Sequence, residues 1–456
     1  MASALEKISR FPRILPVHLG FMPICDSSMN PPLLLTCLVS AISIGSAAPD
    51  QTPFPNPPNK KGLQVQMIDD AIALGVKHAG INISLGSLMD LEKKPENIKW
   101  TSGKKEYAFN RGYVAHFDRE VKALSDSGAL VYLIMLAYPT KDPAKDAILV
   151  HPSAKPDYKY NIAAFNTVTP DGQAWLRAVS EFIADRYSGK DASHGRIWGY
   201  IVGNEINSHW MWYNRGIAPL EEVASDYEHA VRLVHGAVRS ASANARIYLS
   251  FDHHWTASMP NISEKESTPG RSFLDTFAKI ANQRGNFDWH VATHPYPDDL
   301  GNPRTWLDKD APPHDDAKHI TFKNLEVMEQ HMARPEMLFN GKPRRIILSE
   351  QGFHCLTTPD GETLQAAAYA YAWEKTERCP TVDAFILHRH VDHKMEGGLR
   401  LGLWERKSTT ISEPGRKRLI YDLFMAAGTP EWSAKAAFAL PIAGLKSWDE
   451  LGAKPK

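Results

Sequence analysis

The chain has 456 residues, 52 of them basic and 52 acidic, so it carries neither the basic excess of a nucleic-acid binder nor an acidic tail. With 43% hydrophobic residues and 12 tryptophans it can bury a large core and is not a disordered polymer. Its length admits one large α/β barrel or two or three smaller domains.

In chain order, residues 33–45 come first as an apolar run of signal-peptide length, short of the roughly 18 residues a membrane span needs. Small residues follow, and Gly45-Ser46-Ala47 is an acceptable processing site. We expect an upstream extension and signal peptide over 1–48, with Met29 as initiator, a leader at about 29–47 and export to the periplasm or medium. Met29-Asn30-Pro31-Pro32 departs from that pattern in having no lysine or arginine. No other segment reads as a membrane span, so the mature chain is expected to have none. Residues 49–61 (QTPFPNPPNKK from Gln51) read as a proline-rich linker, and 62–456 as one domain with a C-terminal tail.

Within that domain the pattern alternates. Residues 65–74 are amphipathic, then 79–85 (AGINISL) form a short apolar run. A helix over 117–126 precedes the strand 129–136 (ALVYLIML), and Pro170 opens a helix to about residue 187. Strands follow at 197–203, 246–251, 289–293, 344–349 and 383–387, separated by helices at 220–241, 272–281, 324–332 and 362–377, with a last helix at 418–426. Near-continuous apolar strands between helices mark a parallel sheet covered on both faces. Seven such strands preceded by a helix predict an α/β (β/α)8 TIM barrel whose first strand is short and polar, around 61–63. An open doubly wound sheet would show G-x-G-x-x-G after its first strand, and no strand here is followed by one.

Polar residues gather where the strands end, the side on which barrels of this kind carry their chemistry. Strand four ends Asn204-Glu205, strand five Asp252-His253-His254-Trp255, and strand six His294-Pro295-Tyr296. Strand seven ends Ser349-Glu350-Gln351 and strand eight His388-Arg389-His390. Alternation puts Glu350 on the side of Leu348 and Ile346, so if those two fill the barrel the carboxylate points into its mouth. Two carboxylates facing across a cleft divide labour when one is kept protonated and the other ionised, as glycosidic cleavage requires.

On these motifs the chain resembles the clan A retaining glycoside hydrolases, the cellulase and β-galactosidase-like barrels, over roughly residues 62–427. The detail of VGNEIN and of Lys60-Lys61-Gly62-Leu63 resembles an uncharacterised secreted bacterial group of such barrels. The resemblance implies that Glu205 is the acid/base, Glu350 the nucleophile, and Asn204 a partner of the hydroxyl beside the reacting carbon. It further implies that His294-Pro295-Tyr296 matches a His-x-Tyr motif, Tyr296 holding the nucleophile. The substrate would be a carbohydrate and no metal or organic cofactor would be needed. Two departures bear on the substrate. Where many clan members have arginine after strand two, this chain has Asn82 and Ser84. Where many have a tryptophan after strand eight, it has His388-Arg389-His390, with Trp404 expected as the substitute floor. The three cationic residues suggest an anionic sugar.

Trp210, Trp212, Tyr213, Trp255 and Phe353 follow the strand ends and are expected to stack on sugar faces or to pack the rim. Residues 297–343 and 391–414 are long enough to wall a pocket or shape a groove. Two other readings stand beside the hydrolase. Asp252, His253, His254, His294, His388 and His390 could hold a catalytic metal, or the barrel could bind sugar without cleaving it. Cys25 and Cys37 would leave with the leader. Cys355 and Cys379 bracket a helix more than roughly 20 Å long at about 1.5 Å per residue, so no internal disulfide is expected.

Overall fold

A computed structural model describes residues 48–155 and 162–454. The expected leader at 29–47, Cys25 and Cys37 lie outside the described residues. Eight parallel strands close into a barrel: β1 (Lys61–Gln64), β2 (His78–Ser84), β3 (Leu130–Leu136), β4 (Ile197–Val202), β5 (Arg246–Phe251), β6 (Trp289–Thr293), β7 (Ile346–Leu348) and β8 (Val382–Leu387). Each is followed by a helix: α1 (Ile68–Ala73), α2 (Arg111–Asp126), α3 (Pro170–Ser188), α4 (Leu220–Ala241), α5 (Gly270–Gln283), α6 (Leu325–Met332), α7 (Gly361–Glu377) and α8 (Leu419–Ala426). This is the (β/α)8 barrel that the alternation of apolar runs predicts. The polar first strand closes the ring by pairing with β2 and β8, Gly62 opposite His78 and Ile386.

Two apolar layers hold the strands. Inside the barrel lie Leu130, Tyr132, Ile134 and Leu136 of β3, with Trp198, Ile201, Tyr248, Ala292, Ile347, Ala384 and Ile386. Tyr132 fits because β4 carries glycine opposite it: a Cβ on Gly199 would meet Tyr132 Cδ1 at 2.3 Å. The alternate residues, including Ile83, Leu133, Val202, Leu249, Val291 and Leu348, pack outward against the helices. Helix starts follow local chemistry, with Pro170 in the first turn of α3 and the Thr169 side chain accepting from Gly172 N.

The proline-rich stretch read as a linker is instead held against the barrel's amino-terminal end. Phe54 packs edge-on to Trp198 at 5.6 Å, Arg246 lies 3.6 Å over the Phe54 ring, and Asp50 pairs with Arg196 at 2.6 Å. Apolar burial and a cation over an aromatic face order this segment.

Three additions escaped the sequence pattern: an antiparallel sheet from Met89–Asp90, Ile98–Ser102 and Lys105–Phe109; a hairpin of Trp404–Arg406 and Pro414–Lys417; and short C-terminal helices held on α7 through Trp432 Nε1 donating to Glu374 Oε1 at 2.7 Å. Cys355 and Cys379 are buried and unpaired. Among the described residues no helix is long and apolar enough to cross a membrane.

Candidate active site

The carboxyl ends of the strands bring the two glutamates together, each by a local break in regular structure. After β4, Gly203 adopts φ +76°, and a side chain there would strike Tyr213 Cε2 at 2.6 Å. Glu205 itself sits in the left-handed region at φ 41°, ψ 56°, a conformation that costs a non-glycine residue about 1 kcal/mol or more. Ser250 Oγ on β5 offsets part of that cost by accepting from Glu205 N at 3.0 Å. The turn delivers the Glu205 carboxyl to His294, with which it shares a 2.8 Å hydrogen bond.

Glu350 reaches the mouth by a different route from the one alternation suggests. Ile346 and Leu348 face the helices, and Ile347 is the residue inside the barrel. The strand ends at Leu348, so Ser349 and Glu350 no longer follow the pleat. Gln64, the last residue of β1, donates from Nε2 to Glu350 Oε2 at 3.2 Å and to Ser349 O at 3.1 Å. Tyr296 donates its hydroxyl to the other oxygen, Oε1, at 3.3 Å. One oxygen of Glu205, one ring nitrogen of His294 and one oxygen of Glu350 all lie within 4.8 Å of one another.

The surroundings push the two carboxyls in opposite directions. Burial raises the Glu205 pKa, the nearby Asp252 and Glu350 charges add to it, and His294 offsets only part. Asp252 stays ionised despite its burial, held by His254, His253 and Ser208; it also accepts from Asn207 Nδ2 at 2.5 Å. Burial opposes ionisation of Glu350 too, but the imidazoles of His388 and His294 and the Gln64 amide outweigh it, so its pKa falls below the ordinary value. Burial would lower His294, yet its bond to Glu205 and the Glu350 charge raise it on balance. Burial and the Glu350 and Glu205 charges push the Tyr296 phenol well above its ordinary value, so it remains a donor.

Asn204 is half-buried beside Glu205, and Asn82 is exposed. Asn82 alternates with the outward-packed Ile81 and Ile83, which places it on the inner face of β2 near the mouth. Trp210 and Trp212 are half-buried on the loop after β4, its backbone anchored by Trp210 N donating to Glu266 O and Trp212 N to Ser208 O.

Other residues go elsewhere. Trp255 is buried in the outer core, its indole edge-on to His331 at 4.8 Å and its Nε1 donating to Asp315 O at 3.1 Å, so it offers no face to a ligand. Tyr213 packs between Phe165 and Tyr227, and Phe353 packs on Phe322. Trp404 is anchored on α1, donating from Nε1 to Asp70 Oδ2 at 2.9 Å and packing edge-on to Tyr421. Asp70 also receives His390 and Tyr421, and burial is outweighed by these donors, which lower its pKa to about 2.

The cationic cluster expected after β8 is already neutralised. Arg389 pairs with Glu396, His388 Nε2 lies 3.3 Å from the same carboxylate, and His390 is spent on Asp70. His388 Nδ1 lies 2.7 Å from Gln64 Oε1, so a chain of contacts runs from Glu396 through His388 and Gln64 to Glu350. The six residues considered for a catalytic metal fall into separate groups: His294 with Glu205, His388 with Gln64, His390 with Asp70, and His253 and His254 beside Asp252. Gln64 and Glu396 were not singled out in the sequence; Gln64 was within reach of the strand-end rule, since it closes β1, but Glu396 lies in a long connection with no periodicity to mark it.

A family model described as "Family of unknown function (DUF5722)" matches residues 53–451. The chain belongs to that family. No curated protein matches it in sequence. Among solved structures, this DUF5722 member is similar to a family 39 glycoside hydrolase from the gut symbiont Bacteroides cellulosilyticus WH2, at 12% identity and TM-score 0.52, over 84% of this chain and 66% of that one. It is also similar to a hyperthermophilic β-glucosidase from Pyrococcus furiosus, at 14% identity and TM-score 0.54, covering 82% of this chain and 86% of that one. A third likeness is to a glucosidase from Croceicoccus marinus, at 12% identity and TM-score 0.50, over 83% and 69% of the two chains. At these identities the likeness is one of fold, a barrel architecture that these glycosidases share.

Proposed function

We propose that the protein is a retaining glycoside hydrolase in which Glu350 is the nucleophile and Glu205 the acid/base. The observation that carries this reading is a pair of carboxyls on β4 and β7 ends, joined within 4.8 Å through His294, whose pKa values are driven apart, Glu205 up and Glu350 down. Retaining enzymes hold their two carboxyls about 5–5.5 Å apart, close enough for one to attack the sugar directly. The fold likeness to glycosidases agrees with that choice of substrate class.

In the first step a Glu350 oxygen bonds to the anomeric carbon while the bond to the leaving oxygen breaks and Glu205 protonates that oxygen. In the second, water attacks the same carbon, Glu205 takes its proton, and the glycosyl–Glu350 ester bond breaks. Tyr296 and Gln64 fix the nucleophile through its two oxygens. Asn204 binds the hydroxyl next to the reacting carbon, and Asn82, Trp210 and Trp212 contact the saccharide. Because Arg389, His388 and His390 are engaged by Glu396, Gln64 and Asp70, the sugar is a neutral one rather than a uronic or sulfated one.

The enzyme acts outside the cytoplasm, a reading carried by the apolar run at 33–45 and its small-residue processing site. Sequencing the amino terminus of the mature protein tests export. The reaction is tested by Glu350→Gln and Glu205→Gln against a panel of neutral polysaccharides and aryl glycosides. Full activity in Glu350→Gln on a substrate that the parent cleaves would refute the mechanism.

A further inference from the structure

Outside the glutamate pair, one ring nitrogen from each of His253, His254 and His319 lies within 4.8 Å of those of the other two. The imidazoles are packed face and edge, with centroids 4.5 Å (His253–His254), 4.6 Å (His253–His319) and 5.1 Å (His254–His319) apart. His253 and His254 follow β5, whereas His319 comes from the 297–343 connection between β6 and β7. Backbone pairing sets them side by side: His254 bridges His319, Ile320 N donates to His253 O at 2.8 Å, and Trp255 N donates to Lys318 O at 2.7 Å.

What separates this cluster from chance packing is the far side of each ring. His253 Nδ1 faces the carbonyl of Tyr296 at 3.2 Å and His319 Nδ1 faces Asp298 Oδ1 at 2.8 Å, whereas His254 Nδ1 lies 3.1 Å from Asp252 Oδ2 without making a hydrogen bond to it. A carbonyl and a carboxylate can only accept, so Nδ1 of His253 and of His319 carries the proton and the Nε2 of each keeps its lone pair. Orientation of ligating histidines by just such acceptors is the usual outer shell of a zinc-type ion. Among the described residues His254 Nδ1 is a buried nitrogen with no hydrogen-bond partner, so this ring, too, has a nitrogen to offer an ion.

We propose that His253, His254 and His319 form a binding site for a divalent transition ion of the zinc type. Three imidazole nitrogens at about 2.0–2.1 Å from a tetrahedral ion stand about 3.4 Å apart, so binding draws the present nitrogens inward by rotation of the rings. None of the three histidines reacts with the sugar, although His253 and His254 lie beside Asp252, whose charge raises the Glu205 pKa. The ion ties the long 297–343 connection to the barrel rim, a clip across a long loop, and it steadies Tyr296, whose carbonyl holds His253 and whose hydroxyl holds Glu350.

The test is metal binding by the full chain, with no activity readout. After chelator treatment, zinc chloride is titrated against a chromophoric competitor and bound metal is measured by mass spectrometry, with thermal unfolding followed in parallel. The parent should hold about one zinc per chain and gain thermal stability from it. His253→Ala and His319→Ala should each weaken zinc binding by at least about 100-fold, and Asp298→Asn by about 10–100-fold. His116→Ala, an exposed histidine on α2 paired with Glu120, should bind as the parent does. Cobalt replacement gives a second measurement independent of any variant's folding: the parent should show tetrahedral ligand-field absorption that zinc displaces. Failure of the parent to retain zinc or to give that absorption overturns the proposal. So does parental zinc affinity in His253→Ala, which would move any ion to Asp298, Asp310 and His319.

Discussion

Gln64→Met tests the electrostatic half of the proposed mechanism most sharply. The substitution keeps an unbranched chain of similar size on β1 but removes the amide that donates to Glu350 Oε2 at 3.2 Å and accepts at Oε1 from His388. A hydrogen bond to a charged group is worth about 1.5–3 kcal/mol, and partial replacement by water at this half-buried position leaves about 1.4 kcal/mol of the effect. That corresponds to about one pKa unit, or a factor of about ten in rate. The sign follows from the role. Glu350 must be ionised to attack, and its pKa is held down by His388, His294 and Gln64 against burial. Removing the donor raises it, so the acid limb of kcat/KM should move up by about one pH unit, with kcat lower by about tenfold. The alkaline limb, set by Glu205, should stay in place. Carboxyl NMR of labelled glutamate follows the same titration without a substrate. An acid limb and a Glu350 titration both unmoved in Gln64→Met would refute the assignment of Gln64 and the electrostatic argument with it.

Four further variants have expected outcomes. Glu205→Gln should lose about 10²–10⁴-fold on substrates with poor leaving groups and far less on activated aryl glycosides, and azide should restore turnover as a glycosyl azide, detected by mass spectrometry. Trp255→Phe should lower stability by about 1–2 kcal/mol in urea unfolding while leaving KM unchanged, because the indole is buried against His331; Trp212→Ala, on the half-exposed loop after β4, should do the reverse. Phe54→Ala should cost about 2 kcal/mol of stability by removing the ring between Trp198 and Arg246, with kcat intact because it lies at the opposite end of the barrel from the glutamates.

The barrel was legible because strands buried on both faces are apolar throughout, and runs such as LVYLIML admit no other placement. Even the polar KGLQ was located, since seven strands left one gap to fill. The sheet over Met89–Phe109 was missed because it is half-exposed and mixes charged with apolar residues around Gly103, so it carries no continuous run. Strand-end polarity locates the glutamates, but alternation does not orient Glu350, because the strand stops at Leu348 and Ile347, not Leu348, faces the barrel interior. The aromatics divided in a way that composition does not reveal, since Trp255 and Phe353 follow strands as Trp212 does yet are core residues. Gln64 closes β1 and so fits the strand-end rule, but its partner Glu350 lies 286 positions away, and Glu396 and His319 sit in connections with no periodicity to mark them.

The claim on which the rest stands is that Glu350 bonds covalently to the sugar. A panel of 2-deoxy-2-fluoro glycosyl fluorides of neutral sugars, incubated with the full chain and followed by peptide mass spectrometry, tests it directly. The account predicts a stoichiometric glycosyl adduct on the peptide containing Glu350, absent in Glu350→Gln. An adduct on Glu205 or elsewhere, or hydrolysis of a cleavable substrate with inversion at the anomeric carbon, would contradict it.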